Sequence, residues 1–346
     1  MTTFQLPNSV AKVPTCFCSC GSSVLAVGDK SGTISLFSCS SLSILAKLTL
    51  SILTDSNFPP SITCITSPLE DLPTFGSQIA VGCSDGSIRI ISLDISTSSL
   101  SESVIISPTT DMFTHKGSVT SILWDPVDRI FTTGSDQTLK IWDSRNGAHI
   151  DTQVGHQGQV NHVSILNWSK SKHDISDSIV PITTGIDRTV RIWNLPMETH
   201  LCFKGPQNCI SIECVVSLFD VNRSINTDDR KYFITGQQDG SIYGWVDNKK
   251  RPLFNMIGLR DSNWIVSMAV SNDKSVVAVG GWDVVRLFTV SLSPFKLELF
   301  DSIKIDGCAN QLLFEGDKLI VLVGREHKSG RWNVKGCNQI MIVDLS

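Results

Sequence analysis

Gly134-Ser135-Asp136-Gln137-Thr138-Leu139-Lys140-Ile141-Trp142-Asp143 is followed, fifty-one residues later, by Gly185-Ile186-Asp187-Arg188-Thr189-Val190-Arg191-Ile192-Trp193-Asn194. Each stretch opens on a glycine and a polar turn. Each closes on an alternation of apolar and polar residues that suits a strand buried at every second position and does not suit a helix. Working outward, the same two-residue apolar or threonine step, glycine, turn and β-branched run recurs along the chain. It appears at Ala26-Val27-Gly28, Ala80-Val81-Gly82, Thr132-Thr133-Gly134, Thr183-Thr184-Gly185, Ile234-Thr235-Gly236 and Ala278-Val279-Gly280. The copies end at Phe37, Ile91, Trp142, Trp193, Trp245 and Phe288, 43 to 54 residues apart. A seventh, Leu322-Val323-Gly324, reaches Ile340 and Val343 after an insertion.

A repeat of this length, built almost wholly of strand and turn, predicts an all-β array with one four-stranded sheet per copy. The two opening stretches resemble the signature of the WD-repeat family. That resemblance implies a seven-bladed β-propeller forming one domain over residues 1–346. Thr3 to Leu6 would supply the outer strand of the last blade, whose inner strands end at Asn338 to Leu345. His115 and His156 sit where the family carries a loop histidine. By the same resemblance, His115, Thr133, Asp136 and Trp142, and His156, Thr184, Asp187 and Trp193, form two buried hydrogen-bond chains with a structural role. Phe37, Ile91, Phe288 and Val343 replace the tryptophan in other copies, which must depend more on apolar packing.

With 41% hydrophobic and 18% charged residues, the chain has the apolar content for a sizeable core. A net charge of −4 excludes coating of nucleic acid by a broad basic surface, so any RNA contact must be local. Met1 to Gln5 lack a secretory start and no stretch approaches a membrane span, so a soluble intracellular protein without membrane contact is expected. The eleven cysteines are expected to be reduced. Cys16, Cys18 and Cys20 alternate onto one strand face and read as small buried hydrophobes rather than metal ligands. Gly28-Asp29-Lys30-Ser31-Gly32 has neither the spacing nor the following helix of a phosphate loop. No nucleophile elbow or zinc-protease helix appears either, so neither enzyme, cofactor nor metal is expected. Ser92 to Thr110, Ser169 to Ser178 and Asn222 to Lys231 read as long loops, and the sequons at Asn167 and Asn222 as chance.

Basic residues gather in two places. One is Lys249-Lys250-Arg251, followed by Arg260 and Trp264; the other is Arg325, His327, Lys328, Arg331 and Trp332. Cations beside aromatic rings suit RNA, where charge meets phosphate and rings stack on unpaired bases. A solvated loop that happens to be charged is the plain alternative. Trp332 plugs a blade end or faces RNA, and Trp264 belongs to the core. Arg188 and Arg191 face a partner or stay solvated.

Gly324-Arg325-Glu326-His327-Lys328-Ser329-Gly330-Arg331-Trp332, Lys249-Lys250-Arg251-Pro252-Leu253, Asn263-Trp264-Ile265-Val266-Ser267 and Asp187 to Trp193 together resemble the WD-repeat subunits of the U3 small nucleolar ribonucleoprotein. The resemblance covers residues 112 to 346. It implies a non-catalytic scaffold that recognises the box B/C region of U3 small nucleolar RNA with a kink-turn-binding protein. Other small-subunit processome proteins would be partners in pre-ribosomal RNA processing, with the chain a monomer within that larger complex in the nucleolus. Arg325, His327, Lys328, Arg331 and Trp332 would face RNA, with Lys249, Lys250, Arg251 and Arg260 as a second group. That family carries a charged extension before the propeller, whereas here the blades begin almost at Met1. Import with a partner and import through Lys249 to Arg251 both stay open. A generic protein-binding adaptor, such as a ubiquitin-ligase substrate receptor, is the alternative function.

Overall fold

The computed structural model describes residues 2–5, 13–21, 24–39, 43–53, 57–68, 76–94, 97–107, 112–167, 179–206, 209–218, 230–256, 264–330 and 336–345. Among them every regular element is a strand. The N-terminal strand is β1 (Thr2–Gln5). The first four-stranded sheet holds β2 (Pro14–Ser19), β3 (Val24–Asp29), β4 (Thr33–Ser38) and β5 (Ile44–Thr49). The second holds β6 (Ile62–Thr66), β7 (Gln78–Cys83), β8 (Ile88–Asp94) and β9 (Ser99–Ile106). The third holds β10 (Val119–Trp124), β11 (Arg129–Gly134), β12 (Thr138–Asp143) and β13 (His149–Val154). Then come β14 (Val160–Asn167), β15 (Val180–Gly185), β16 (Thr189–Asn194) and β17 (Thr199–Lys204). The fifth holds β18 (Ile212–Ser217), β19 (Tyr232–Gln237), β20 (Ile242–Val246) and β21 (Phe254–Met256).

The remaining strands are β22 (Ser267–Val270), β23 (Val276–Gly280), β24 (Trp282–Leu292), β25 (Phe295–Glu315), β26 (Lys318–Gly324) and β27 (Gln339–Asp344). With β1 they form one seven-stranded sheet in the order β1-β27-β26-β25-β24-β23-β22. Among the described residues the expected seven separate sheets are therefore six. The cause is β25: its 21 residues pair with β24 on one side and β26 on the other, with no interrupting turn. Gly307, at φ +136°, takes the bend within the strand that a hairpin takes elsewhere. β1 lies hydrogen-bonded at the sheet edge beside β27; Leu6 of the expected closing strand lies outside the described residues.

By its internal contacts the chain divides into two compact units. One comprises Met1–Thr2, Asn161–Val321 and Met341–Ser346; the other comprises Thr3–Val160 and Leu322–Ile340. In each four-stranded sheet the first strands are covered and the last is open: β2 and β3 are buried almost throughout, whereas β5 alternates between exposed and half-buried positions. Third strands are covered on both faces, which overrides the simple alternation read from sequence. Lys140 is buried and reaches Thr152 Oγ1 with its ammonium; Arg191 is buried and bonds His200 Nε2 through Nη1. Arg191 is thus neither solvated nor facing a partner, while Arg188 is exposed at a turn with φ +62°.

The polar chain of the third sheet is present with one member corrected. Trp142 Nε1 donates to Thr132 Oγ1 (2.8 Å), Thr132 Oγ1 meets His115 Nε2 (2.8 Å), and His115 Nδ1 meets Asp136 Oδ1 (2.8 Å). Thr133 is not in the chain. Trp142 lies opposite Ile130, so the same-face residue two steps on is Thr132, and Thr133 points to the other face, where it pairs with Thr120 (3.0 Å). The fourth sheet repeats the correction: Trp193 Nε1 donates to Thr183 Oγ1 (2.8 Å), and Thr184 Oγ1 is buried with no hydrogen-bond partner among the described residues. His156 is buried as expected, and Asp187 accepts from the Thr189 backbone N–H and hydroxyl. A third tryptophan, Trp245, donates to Thr235 (2.9 Å). Gly134 is required by close approach, because a Cβ there would stand 2.5 Å from His115 Nδ1. In the fifth sheet Gln237 takes the register position of Gly134, and no loop histidine precedes it.

A second recurring contact joins sheet to sheet. In β2, β6, β10 and β14 the second residue donates its side chain to a main-chain carbonyl in the first strand of the next sheet, and in β22 the first residue donates to a carbonyl of β25. Thr15 donates to Ile62 O (2.7 Å), Thr63 to Val119 O (2.6 Å), Thr120 to Val160 O, Asn161 to Ile212 O (3.1 Å) and Ser267 to Ala309 O (2.7 Å).

Candidate nucleic-acid interface

The segment after β26 is expected to present cations; among its described residues Arg325 and Lys328 are half-buried and His327 is buried. The Arg325 backbone N–H donates to Asn338 Oδ1 (3.1 Å), and its half-buried side chain has Nε covered without a hydrogen-bond partner among the described residues. Glu326 is buried, and its carboxylate accepts from Lys30 Nζ (3.1 Å). Lys30 also donates to Gly330 O (3.1 Å), so the turn between β3 and β4 clamps both ends of the run 326–330.

His327 is 2% exposed. Its Nδ1 accepts the Ser329 backbone N–H (3.1 Å), which leaves Nδ1 unprotonated. Burial first, then the charges of Lys328 and Lys30, pushes its pKa down to about 3. His327 is therefore a neutral core residue, and the expectation that it faces RNA is corrected. Lys328 is half-buried and close enough to the first two sheets for its charge to act on Cys16 and Cys64. Burial dominates there and pushes both thiols up to about 12, so they are inert, as small buried hydrophobes should be. Arg331 and Trp332 lie outside the described residues.

The second basic group sits on the turn from β20 to β21. Lys249, Lys250 and Arg251 are all exposed. Arg260 lies outside the described residues, and Trp264 is half-buried rather than core. Lys249 to Arg251 belong to the unit containing Asn161–Val321, whereas Arg325, His327 and Lys328 belong to the other. The arrangement supports contact with a polyanion through the exposed ammonium and guanidinium groups of Lys249, Lys250 and Arg251. Among the described residues no group of three or more His, Cys, Asp or Glu could hold a metal ion. No helix among them is long and apolar enough to cross a membrane.

Sequence reasoning missed Lys30 and Glu326 as an ion pair, because the pairing joins residues 296 positions apart. It also missed His149 and His200, which pair directly across from Trp142 and Trp193 and pack on their indoles. Their shared placement on the fourth strand was the available sign.

Known proteins agree with the fold and narrow its relations. The WD domain, G-beta repeat model matches residues 107–143. A U3 snoRNP-associated protein-like sequence of Arabidopsis thaliana is 27% identical over 242 residues, covering 64% of this chain and 45% of that protein. U3 small nucleolar RNA-interacting protein 2 of Homo sapiens is 32% identical over 162 residues, covering 43% of this chain and 32% of that protein. The chain thus matches less than half the length of these relatives. Among solved structures, the WD40 repeats of RRP9 align with a TM-score of 0.77 at 23% identity, covering 96% of this chain and 94% of that one. The structure of U3-55K aligns with a TM-score of 0.74 at 24% identity, covering 96% and 95%. At those identities the structural likeness establishes the fold.

Proposed function

We propose that this WD40-type β-propeller chain, homologous to U3 snoRNP-associated proteins, works as a non-catalytic RNA- and protein-binding scaffold of a U3 small nucleolar ribonucleoprotein. It recognises the box B/C region of U3 RNA together with a kink-turn-binding protein, and serves pre-ribosomal RNA processing in the nucleolus alongside other small-subunit processome proteins. The similarity to U3 snoRNP-associated sequences carries the reading. WD40 scaffolds are typically non-catalytic.

Seven blades belong to the same proposal. Ala309 accepts from Ser267 as Ile62 accepts from Thr15, so the second half of β25 stands where a first strand stands elsewhere. The seven-stranded sheet then reads as two blades sharing β25, with β1 as the outer strand of the last.

Arg325, Lys328, Arg331 and Trp332 form one RNA-facing group and Lys249, Lys250, Arg251 and Arg260 the other. An acidic chain suffices because composite recognition shares the work with a second protein and with RNA shape. Sequencing RNA crosslinked to the protein in its own cells tests the reading, and strong enrichment of U3 over other stable RNAs is expected. Absence of that enrichment, with protein partners that persist after ribonuclease, overturns it in favour of a protein-binding adaptor.

A further inference from the structure

We infer that the principal phosphate contact is the β20–β21 turn, Lys249-Lys250-Arg251, and not the more conspicuous basic run after β26. The inference rests on the RNA-binding reading above and assigns its cationic work to one hairpin. All three side chains are exposed, and none takes part in a hydrogen bond or ion pair among the described residues. Asp247, the one acid between Val246 and Leu253, turns Oδ1 to the Lys231 backbone N–H (3.3 Å), and its own N–H donates to Lys231 O (3.1 Å). That exchange brings a fourth cationic residue, Lys231, to the start of the turn.

The turn is also held in shape. Lys249 N–H donates to Val246 O (3.2 Å) and Leu253 N–H to Gly244 O (2.8 Å). β20 pairs with β21 from Ile242 opposite Met256 to Gly244 opposite Phe254, and Phe254 packs edge-on against Phe295 at 4.9 Å. Three adjacent charges on a pinned hairpin lose little backbone freedom when a phosphodiester chain docks. The run after β26 differs on each count. Glu326 neutralises Lys30, His327 is uncharged, and Arg325 and Lys328 are half-buried.

Each phosphate neutralised releases condensed counterions, so the number of contacts is read from the salt dependence of binding. The probe is a fluorescent U3 box B/C stem carrying its kink-turn protein, titrated with the full chain from 50 to 300 mM salt. Replacing Lys249, Lys250 and Arg251 with Gln should flatten the log–log salt slope by about 2 to 3 and weaken binding about 10- to 100-fold near 150 mM. Lys249→Arg with Lys250→Arg should restore it, and Arg325→Gln with Lys328→Gln should move the slope by less than about 1. Unchanged thermal melting of each variant confirms that folding is intact. A turn variant with wild-type slope and affinity overturns this inference alone, leaving RNA binding in place. A wild-type chain that binds no RNA overturns both readings. Displacement by polyglutamate at the concentration at which RNA displaces overturns the phosphate assignment in favour of an acidic peptide.

Discussion

Thr132→Val and Thr133→Val are neighbouring substitutions of the same chemistry whose costs should differ severalfold. Val keeps the shape of Thr and removes only the hydroxyl. At 132 that hydroxyl is the shared partner of Trp142 Nε1 and His115 Nε2, both at 2.8 Å and all three residues fully buried. The geometry assigns Thr132 as acceptor from the indole and donor to the imidazole, whose Nδ1–H is directed at Asp136. Its loss strands two buried nitrogens at about 1–3 kcal/mol each, so a cost of about 2–5 kcal/mol is expected. At 133 one bond to Thr120 is lost, while Thr120 keeps Val160 O, giving about 0.5–1.5 kcal/mol. Urea unfolding at pH 7, followed by tryptophan fluorescence and scored by the midpoint of the first transition at unchanged slope, separates the two. Equal costs, or a larger cost at 133, would refute the assignment of faces from Trp142 opposite Ile130.

The remaining predictions concern protons and thiols. The unfolded chain protonates His327 near the ordinary value of about 6.5, but the folded chain resists until about 3, so stability should fall as pH drops through that window, by at most about 1.4 kcal/mol per unit. His327→Gln should flatten the urea midpoint between pH 6.5 and 4.5; an unaltered pH profile would show that the imidazole is not held neutral. Burial opposes the Asp136 carboxylate, yet hydrogen bonds from His115, Thr138 and the Lys116 backbone N–H hold its pKa well below the usual range. Its stabilisation is present above pH ~4 and lost below, so Asp136→Asn should flatten only the acid limb. Burial pushes the Cys16, Cys64 and Cys83 thiols up to about 12, so iodoacetamide at pH 8 should label half-buried Cys39, Cys202 and Cys337 first. Native-state alkylation of Cys16, detected by mass spectrometry, would contradict that order.

Strand-by-strand architecture was legible where a copy carries its own period-two run and glycine turn, but β9 (Ser99–Ile106) corrects the reading of Ser92 to Thr110 as a loop, because its serine-rich run pairs along β8. Sheet count was not, since Asp306-Gly307 inside β25 gives a bend without the polar cluster that marks a hairpin elsewhere. The choice between Thr132 and Thr133 turns on which face a tryptophan occupies, and adjacent threonines offer no clue until the register with Ile130 is known. At the interface, composition revealed the charges but not their partners. Lys30 sits in a turn that looked unremarkable, and only tertiary packing sets it against Glu326 and beside His327. Lys249 to Arg251 lie on an exposed turn, so their charge could be read without knowing the tertiary packing.

The side-chain donors of Thr15, Thr63, Thr120, Asn161 and Ser267 all end on a peptide oxygen of the following copy. A peptide oxygen is supplied by any amino acid, so this one contact survives a change of side chain at the receiving position. Docking is thereby uncoupled from identity, and Thr, Asn and Ser serve interchangeably as the giving partner. Copies that have abandoned tryptophan, such as those ending at Phe37 and Ile91, can drift far in sequence and still stack in step.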